Sequence, residues 1–187
     1  MEIRAAVAAD APALGRVMVA SFLAAHRGQM PEAAWQKRVR EWTPEVSAEA
    51  WTRFFVERAQ GRHPRDVLLV ADDEPGVPVA LALGTSADDE PSGTTGELAA
   101  LYVLPDRQGE GIGGSLLRRL AGELTTLGFT SLHVGVLTAN HPAREFYEAM
   151  GGQEHDQTTV DEEGYLLPLT VYAWPDLALL ASGSPSS

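Results

Sequence analysis

The stretch "LYVLPDRQGEGIGGSLLRRL", Leu101 to Leu120, constrains this chain more than any other. An apolar run ends at Pro105, four glycines fall within Gly109–Gly114, and an apolar pattern with helical spacing begins at once. Glycine lets a backbone enter left-handed conformations and turn its N–H groups outward, and the N-terminus of the following helix adds partial positive charge. Strand, glycines and helix in that order make either a corner for an anion or simply a tight strand-to-helix turn.

Two phosphate loops can be set aside. Gly109, Gly111 and Gly114 spell G-x-G-x-x-G, but a dinucleotide fingerprint follows its strand tightly and has an acid about 20 residues on. Here "PDRQ" intervenes, and the later "SLHVGVLT" holds no acid. A Walker loop requires Lys and Ser/Thr where Ser115 and Leu116 stand.

The surroundings read as one α/β domain with a single sheet. "EIRAAV" is a short strand, and "ADAPAL" starts a helix: Asp10 can cap, Pro12 suits the first turn, and Leu14, Val17, Met18, Phe22 and Ala25 recur at helical spacing up to Gly28. Met30 to Trp42 is aromatic and basic and carries no element. Ser47 can cap a second helix through Trp51, Phe54, Phe55 and Ala59, ended by Gly61. Strands "DVLLVA" and "PVALALGTS" flank the acidic turn "DDEPG", and the acidic loop "ADDEPSG" leads to the strand "GELAALYVL". After the glycines come a helix to about Leu127, a strand "SLHVGVL", a helix "HPAREFYEAM" and two strands flanking "VDEEG". With 187 residues, 44% of them hydrophobic, the chain can bury one sizeable core. The expected domain is 1–175, followed by a disordered tail at 176–187 that ends in "ASGSPSS".

Charge and composition exclude several partners. Residues 1 to 66 hold 10 Lys+Arg against 8 Asp+Glu, a net +2, and the remainder holds 4 against 18, a net −14, so the acidity of the chain lies in its later part. A duplex binder needs a basic face, so nucleic acid is excluded, whereas a cationic small molecule suits the acidic part. No stretch is expected to reach the roughly 18 to 20 uncharged apolar residues of a membrane helix. The N-terminus lacks a basic region followed by an apolar run, so the cytoplasm is the expected address. Without cysteine there are no thiolate ligands or cysteine nucleophiles. His26, His63, His133, His141 and His155 show no ligand spacing, and no metal is expected.

The glycine stretch also resembles the acetyl-CoA signature of the GNAT acetyltransferase superfamily, with Gln108, Gly111 and Gly113 at its fixed positions. About 30 residues on, "NHPAREFYEAMGG" is similar to the second signature of that family, through Asn140, Ala143, Phe146, Tyr147 and Gly151. The opening "IRAAVAADAPAL" resembles its first strand and helix, so the likeness spans residues 1 to about 173. It implies a mixed, mostly antiparallel sheet whose two central strands splay apart in a V, with helices on both faces. Acetyl-CoA would be the acyl donor. Its pyrophosphate would lie on Gln108, Gly109, Gly111, Ile112, Gly113 and Gly114, where any Cβ would hold the backbone off the phosphates. Leu101 and Val103 would offer main-chain groups to the pantetheine arm, and Asn140 would bind that arm or cap its helix. Arg107, Arg118 and Arg119 are the nearest cations for the outer phosphates.

The resemblance also implies roles in the chemistry. An amine attacks a thioester only as the free base, so a proton acceptor helps near neutral pH. Glu97 matches the family's base and shares the alternation of Leu101, although a solvent-facing strand-end acid reads the same way. Tyr147 matches the acid that serves the leaving thiolate, although beside Phe146 it also reads as core. His26, Arg27, Gln29 and Trp35 lie where the family builds its acceptor pocket. The implied activity is direct acetyl transfer to a primary amine of a small molecule. Acetylation of protein N-termini and noncatalytic acyl-CoA sensing remain the alternatives, and a homodimer is compatible with the likeness.

Overall fold

A computed structural model describes residues 1–87 and 93–183. Over these the chain runs β1 (Glu2–Ala5), α1 (Ala11–His26), α2 (Glu32–Glu41), α3 (Pro44–Ala59), β2 (Val67–Asp72), β3 (Pro78–Ser86), β4 (Thr95–Val103), α4 (Ile112–Thr126), β5 (Ser131–Leu137), α5 (His141–Ala149), β6 (Gln153–Glu162), β7 (Tyr165–Trp174) and α6 (Leu177–Ser182). The sheet order is β1-β2-β3-β4-β5-β7-β6, antiparallel at every junction except β4–β5. Central strands carry apolar residues without alternation because both faces are covered. Leu68, Val70 and Leu81 pack with α1 and α3, while Leu69, Ala71, Ala80 and Ala82 pack with α4 and α6.

Helices α1 and α3 cross at Gly15, where an added Cβ would stand 2.3 Å from the Pro44 carbonyl oxygen and 2.8 Å from the Ala48 nitrogen. Both obstacles are backbone, so only a shift of one helix could make room. Gly15→Ala is therefore expected to destabilise the fold by about 3 kcal/mol, read as a lower urea midpoint. An unchanged midpoint would mean that the helices separate at no cost.

Several expectations need correction. The run Ala8–His26 does reach membrane-spanning length and apolarity by composition, with mean hydropathy 1.2. Its apolar face is spent on the core, where Leu14 and Val17 are fully buried. Ser47 is not a cap: Thr43 accepts from the Val46 N–H ahead of Pro44, and Ser47 lies buried one turn in. The stretch after Met30 forms α2, whose one buried residue is Ala34. Residues 176–182 are not a tail. Asp176 caps α6 through the N–H groups of Ala178 and Leu179, and Leu177 and Leu180 enter the core beside α4. Most of the acidic loop "ADDEPSG", and residues 184–187, lie outside the described residues.

The feature that positions the site is the junction of the two central strands. Strands β4 and β5 pair only through Thr95–Ser131, Gly96–Leu132 and Glu97–His133. Beyond Glu97 they part, opening a V toward the glycine loop. On the other edge of β4, Leu98 pairs with Gly84 and Ala100 with Leu83, which leaves Ala99 as a bulge. A bulge inserts one residue and reverses the facing of everything after it. Leu98 and Leu101 both pack toward α4, and Ala100 and Tyr102 toward α1. Glu97, next to Leu98, therefore faces α1, opposite to Leu101. The shared alternation expected for these two residues is corrected by the bulge.

Candidate functional site

At the open end of the V, β4 passes through a tight turn at Pro105–Arg107 into the glycines. Gly109 and Gly111 hold φ of +81° and +79°, and Gly111 is the N-cap of α4. A Cβ on either would meet nothing within 4 Å. The demand for glycine is thus conformational there, since a left-handed backbone is costly for other residues. Gly114 has a different reason, since a Cβ there would press on the Met150 sulfur at 3.3 Å, whereas one on Gly113 would rest in ordinary contact with Phe146 at 3.5 Å. Gly114 thus lets the C-terminal end of α5 approach α4. Ile112 turns its side chain into the core, so only its main chain can face a ligand.

The Val103 carbonyl is already engaged by the protein. It accepts the Gln108 side-chain amide at 3.0 Å and the Ser21 hydroxyl at 2.9 Å. Gln108 thereby ties the loop to the strand, and Ser21 docks α1 onto the splayed part of β4. Of the three expected cations, Arg107 is held by Asp73 and Glu110, and Arg119 by Glu123. Arg118 makes no ion pair among the described residues, and it borders a surface cleft of about 320 Å³ with Arg119 and Ala181.

Tyr147, on α5, is 7% exposed and packs against Phe146, Tyr172 and Trp174. Its hydroxyl has no hydrogen-bond partner among the described residues. Burial pushes its phenol well above the ordinary tyrosine value, with Tyr102 adding to the effect. Tyr102 is pushed up to about 12 by burial and by the nearby Glu162 carboxylate. Both phenols therefore stay protonated near neutral pH. Asn140 is buried and caps α5, its side-chain oxygen accepting from the Ala143 N–H at 3.3 Å.

Glu97 is exposed at the vertex, in register with Thr85 on one side and His133 on the other. The structure gathers Leu101, Val103, Phe146 and Tyr147 against the α4 side. It sets Glu97 and Tyr102 on the α1 side. A ligand in the V could meet both groups at once, although they do not touch.

The α1 side is closed around His26, expected there, by Phe22, Arg38, Trp42 and Glu162, which the sequence did not disclose as a group. His26 stacks on Phe22 at 4.1 Å and bonds to the Phe22 carbonyl, and burial lowers its pKa. Arg38 of α2 lies over Phe22 and Trp42 and bonds to Glu162 at 2.5 Å, while Lys37 reaches Glu163. Nearby, Gln29, Leu137, Thr138, His141, Arg144 and Leu167 line a cleft of about 340 Å³. Among the described residues the acidic turns are partly neutralised from within: Asp72 pairs with Arg4, Asp73 with Arg107, and Glu162 and Glu163 with α2. That weighs against their drawing in a cationic ligand. His133 and His155 stack at 5.3 Å, but among the described residues no group of three or more His, Asp or Glu could hold a metal ion.

Residues 31–152 match the acetyltransferase (GNAT) family. The chain is 34% identical over 126 residues to the uncharacterized N-acetyltransferase YuaI of Bacillus subtilis (strain 168), an overlap of 67% of this chain and 72% of that protein. An N-acetyltransferase from Staphylococcus aureus Mu50 superposes with a TM-score of 0.69 at 22% identity, covering 94% of this chain and 98% of its own. The PaiA N-acetyltransferase from Thermoplasma acidophilum, solved in complex with coenzyme A, gives 0.69 at 20% identity over 90% and 96%. A phosphinothricin acetyltransferase from Sinorhizobium meliloti, in complex with AcCoA, gives 0.68 at 24% identity over 94% and 88%.

Proposed function

This chain belongs to the GNAT acetyltransferase family, and from that premise we propose that it passes acetyl from acetyl-CoA directly to a primary amine of a small molecule. The observation that carries this reading is the parting of β4 and β5 immediately after Glu97 and His133. It opens the sheet between the glycine loop and an exposed carboxylate. Donor and acceptor can then enter from opposite faces and meet in the gap, so no enzyme-bound acyl group is needed. The amine nitrogen bonds to the thioester carbon, the carbon–sulfur bond breaks, and the ammonium proton passes to Glu97 directly or through water. The Tyr147 hydroxyl serves the departing thiolate.

Glycine-loop amides and the first turn of α4 would hold the pyrophosphate, with Arg118 as the available cation. Gly109 and Gly111 fit that task, because their open flanks leave the backbone bare. Acetyl-CoA is expected to raise the melting temperature by mass action, and Gly111→Val to abolish the shift by forcing a left-handed position on a β-branched residue. A shift undiminished in that variant would remove the loop from the donor site.

A small acceptor is favoured over a polypeptide by the clasp between α2 and the β6–β7 turn, which narrows the α1 side. The deciding experiment is incubation with acetyl-CoA and a broad panel of amines and N-terminal peptides, recording thiol release and product mass. Release with peptides alone would reverse the acceptor assignment. Acetyl-CoA binding without any release would favour a noncatalytic sensor.

A further inference from the structure

Residues Phe22, Trp42 and Glu162 form the kind of enclosure that proteins use for ligand cations: two aromatic faces and a carboxylate. Its occupant is the protein's own Arg38, whose guanidinium carbon lies 5.5 Å from one ring centroid and 5.4 Å from the other. Both distances fall within cation–π range. Its terminal nitrogen is 2.5 Å from Glu162 and 3.3 Å from Glu163. The cage adjoins the open half of β4, since the charges of Glu162 and Arg38 act on the Tyr102 phenol and the Ser21 hydroxyl, next to Phe22 along α1, sits on the Val103 carbonyl.

This group is poorly suited to be a structural tie alone. The Arg38 Nε atom is buried and has no hydrogen-bond partner among the described residues, whereas a pairing built for stability satisfies its buried donors. Helix α2 buries only Ala34, so little else of it is anchored. Glu163, in the turn that grips α2, holds φ of +56°, a left-handed backbone that a glutamate adopts at a cost. A guanidinium with one unsatisfied N–H, a thinly anchored helix and a strained turn meet at one place beside the V.

We propose that Arg38 is a specificity-determining residue which fills the Phe22–Trp42–Glu162 cage with a built-in cation, so that the preferred acceptor carries no second cationic group beyond its reacting amine. The proposal rests on the acetyltransferase reading given above. In the native protein a diamine brings its far ammonium toward an occupied cage and a like charge, which selects against it. With the guanidinium gone, two ring faces and the Glu162 carboxylate remain, and a ligand ammonium regains both attractions.

The test compares monoamines with α,ω-diamines of equal chain length. The unaltered enzyme should show kcat/KM for each diamine no higher than for its matched monoamine. Arg38→Ala should raise the diamine-to-monoamine ratio by about tenfold, with added methylguanidinium bringing it back down. Arg38→Ala combined with Glu162→Gln should lose the gain, which general loosening of α2 would not do. A diamine preference in the unaltered enzyme, a ratio that does not change in Arg38→Ala, or a gain that survives Glu162→Gln would each overturn the assignment. If no amine releases thiol, the acetyltransferase reading fails instead. Calorimetry of a diamine with Arg38→Ala then still reads the cage, and absence of binding there overturns it.

Discussion

Replacing Tyr147 by phenylalanine is expected to lower turnover by about 10²-fold while leaving acetyl-CoA affinity close to the parent's. The ring keeps its contacts with Phe146, Tyr172 and Trp174, and only the hydroxyl is lost. Since that hydroxyl bonds to nothing among the described residues, its removal orphans no protein group and folding should be unaffected. Burial holds the phenol far above its ordinary value, so it is a protonated donor throughout the working range. It is also too weak an acid to surrender its proton fully to a thiolate, whose ordinary pKa is about 8.5. Its service is therefore a hydrogen bond to sulfur as charge develops. Bonds to charged groups contribute about 1.5–3 kcal/mol, and each 1.4 kcal/mol is roughly tenfold in rate, which sets the expected loss. Because the folded pKa is raised, the donor form persists as pH rises, and the ratio of variant to parent kcat should be flat between about pH 6 and 10. Unchanged turnover would mean that water or another residue serves the thiolate, and a tyrosinate limb inside that range would contradict the burial argument.

Local backbone chemistry was the part of this molecule that could be read in advance. The strand-to-helix corner at Gly109–Gly114 follows from left-handed glycines and a helix start, which depend on neighbours in sequence. The Asn140 cap with Pro142 in the first turn is local in the same sense. What escaped depends on distant partners. Helix α2 shows no apolar stripe because its hold on the fold comes from ion pairs to a turn 124 residues away. The bulge at Ala99 was invisible because "ELAALYV" is apolar almost throughout, so no change of alternation marks it. That one inserted residue decided which face Glu97 occupies. Helix α6 is a single short element whose Leu177 and Leu180 matter only once α4 is beside them. Gly114 carries a further constraint that is not local, since a Cβ there would stand 3.3 Å from the sulfur of Met150, 36 residues on.

The position of Glu97 on the α1 face carries the second large effect. An alkylamine behaves like a lysine side chain with pKa near 10.4, so at pH 7 only about one molecule in 10³ is free to attack. A base at the vertex can take the ammonium proton as the amine enters the V, and general base catalysis contributes about 10²–10⁴-fold. Glu97→Gln keeps size and polarity but cannot accept that proton. Acetylation should fall by about 10²-fold near pH 7, and the defect should shrink as pH approaches the acceptor's own pKa, where free amine no longer has to be made. Affinity for acetyl-CoA should hardly change, because Glu97 lies across the sheet from Leu101 and far along β4 from the glycine loop. The measurement is kcat/KM against pH for parent and variant, with one amine of known pKa. A loss that stays constant across the pH range would assign Glu97 to positioning the acceptor, and a loss that grows with pH would contradict the role of a base altogether.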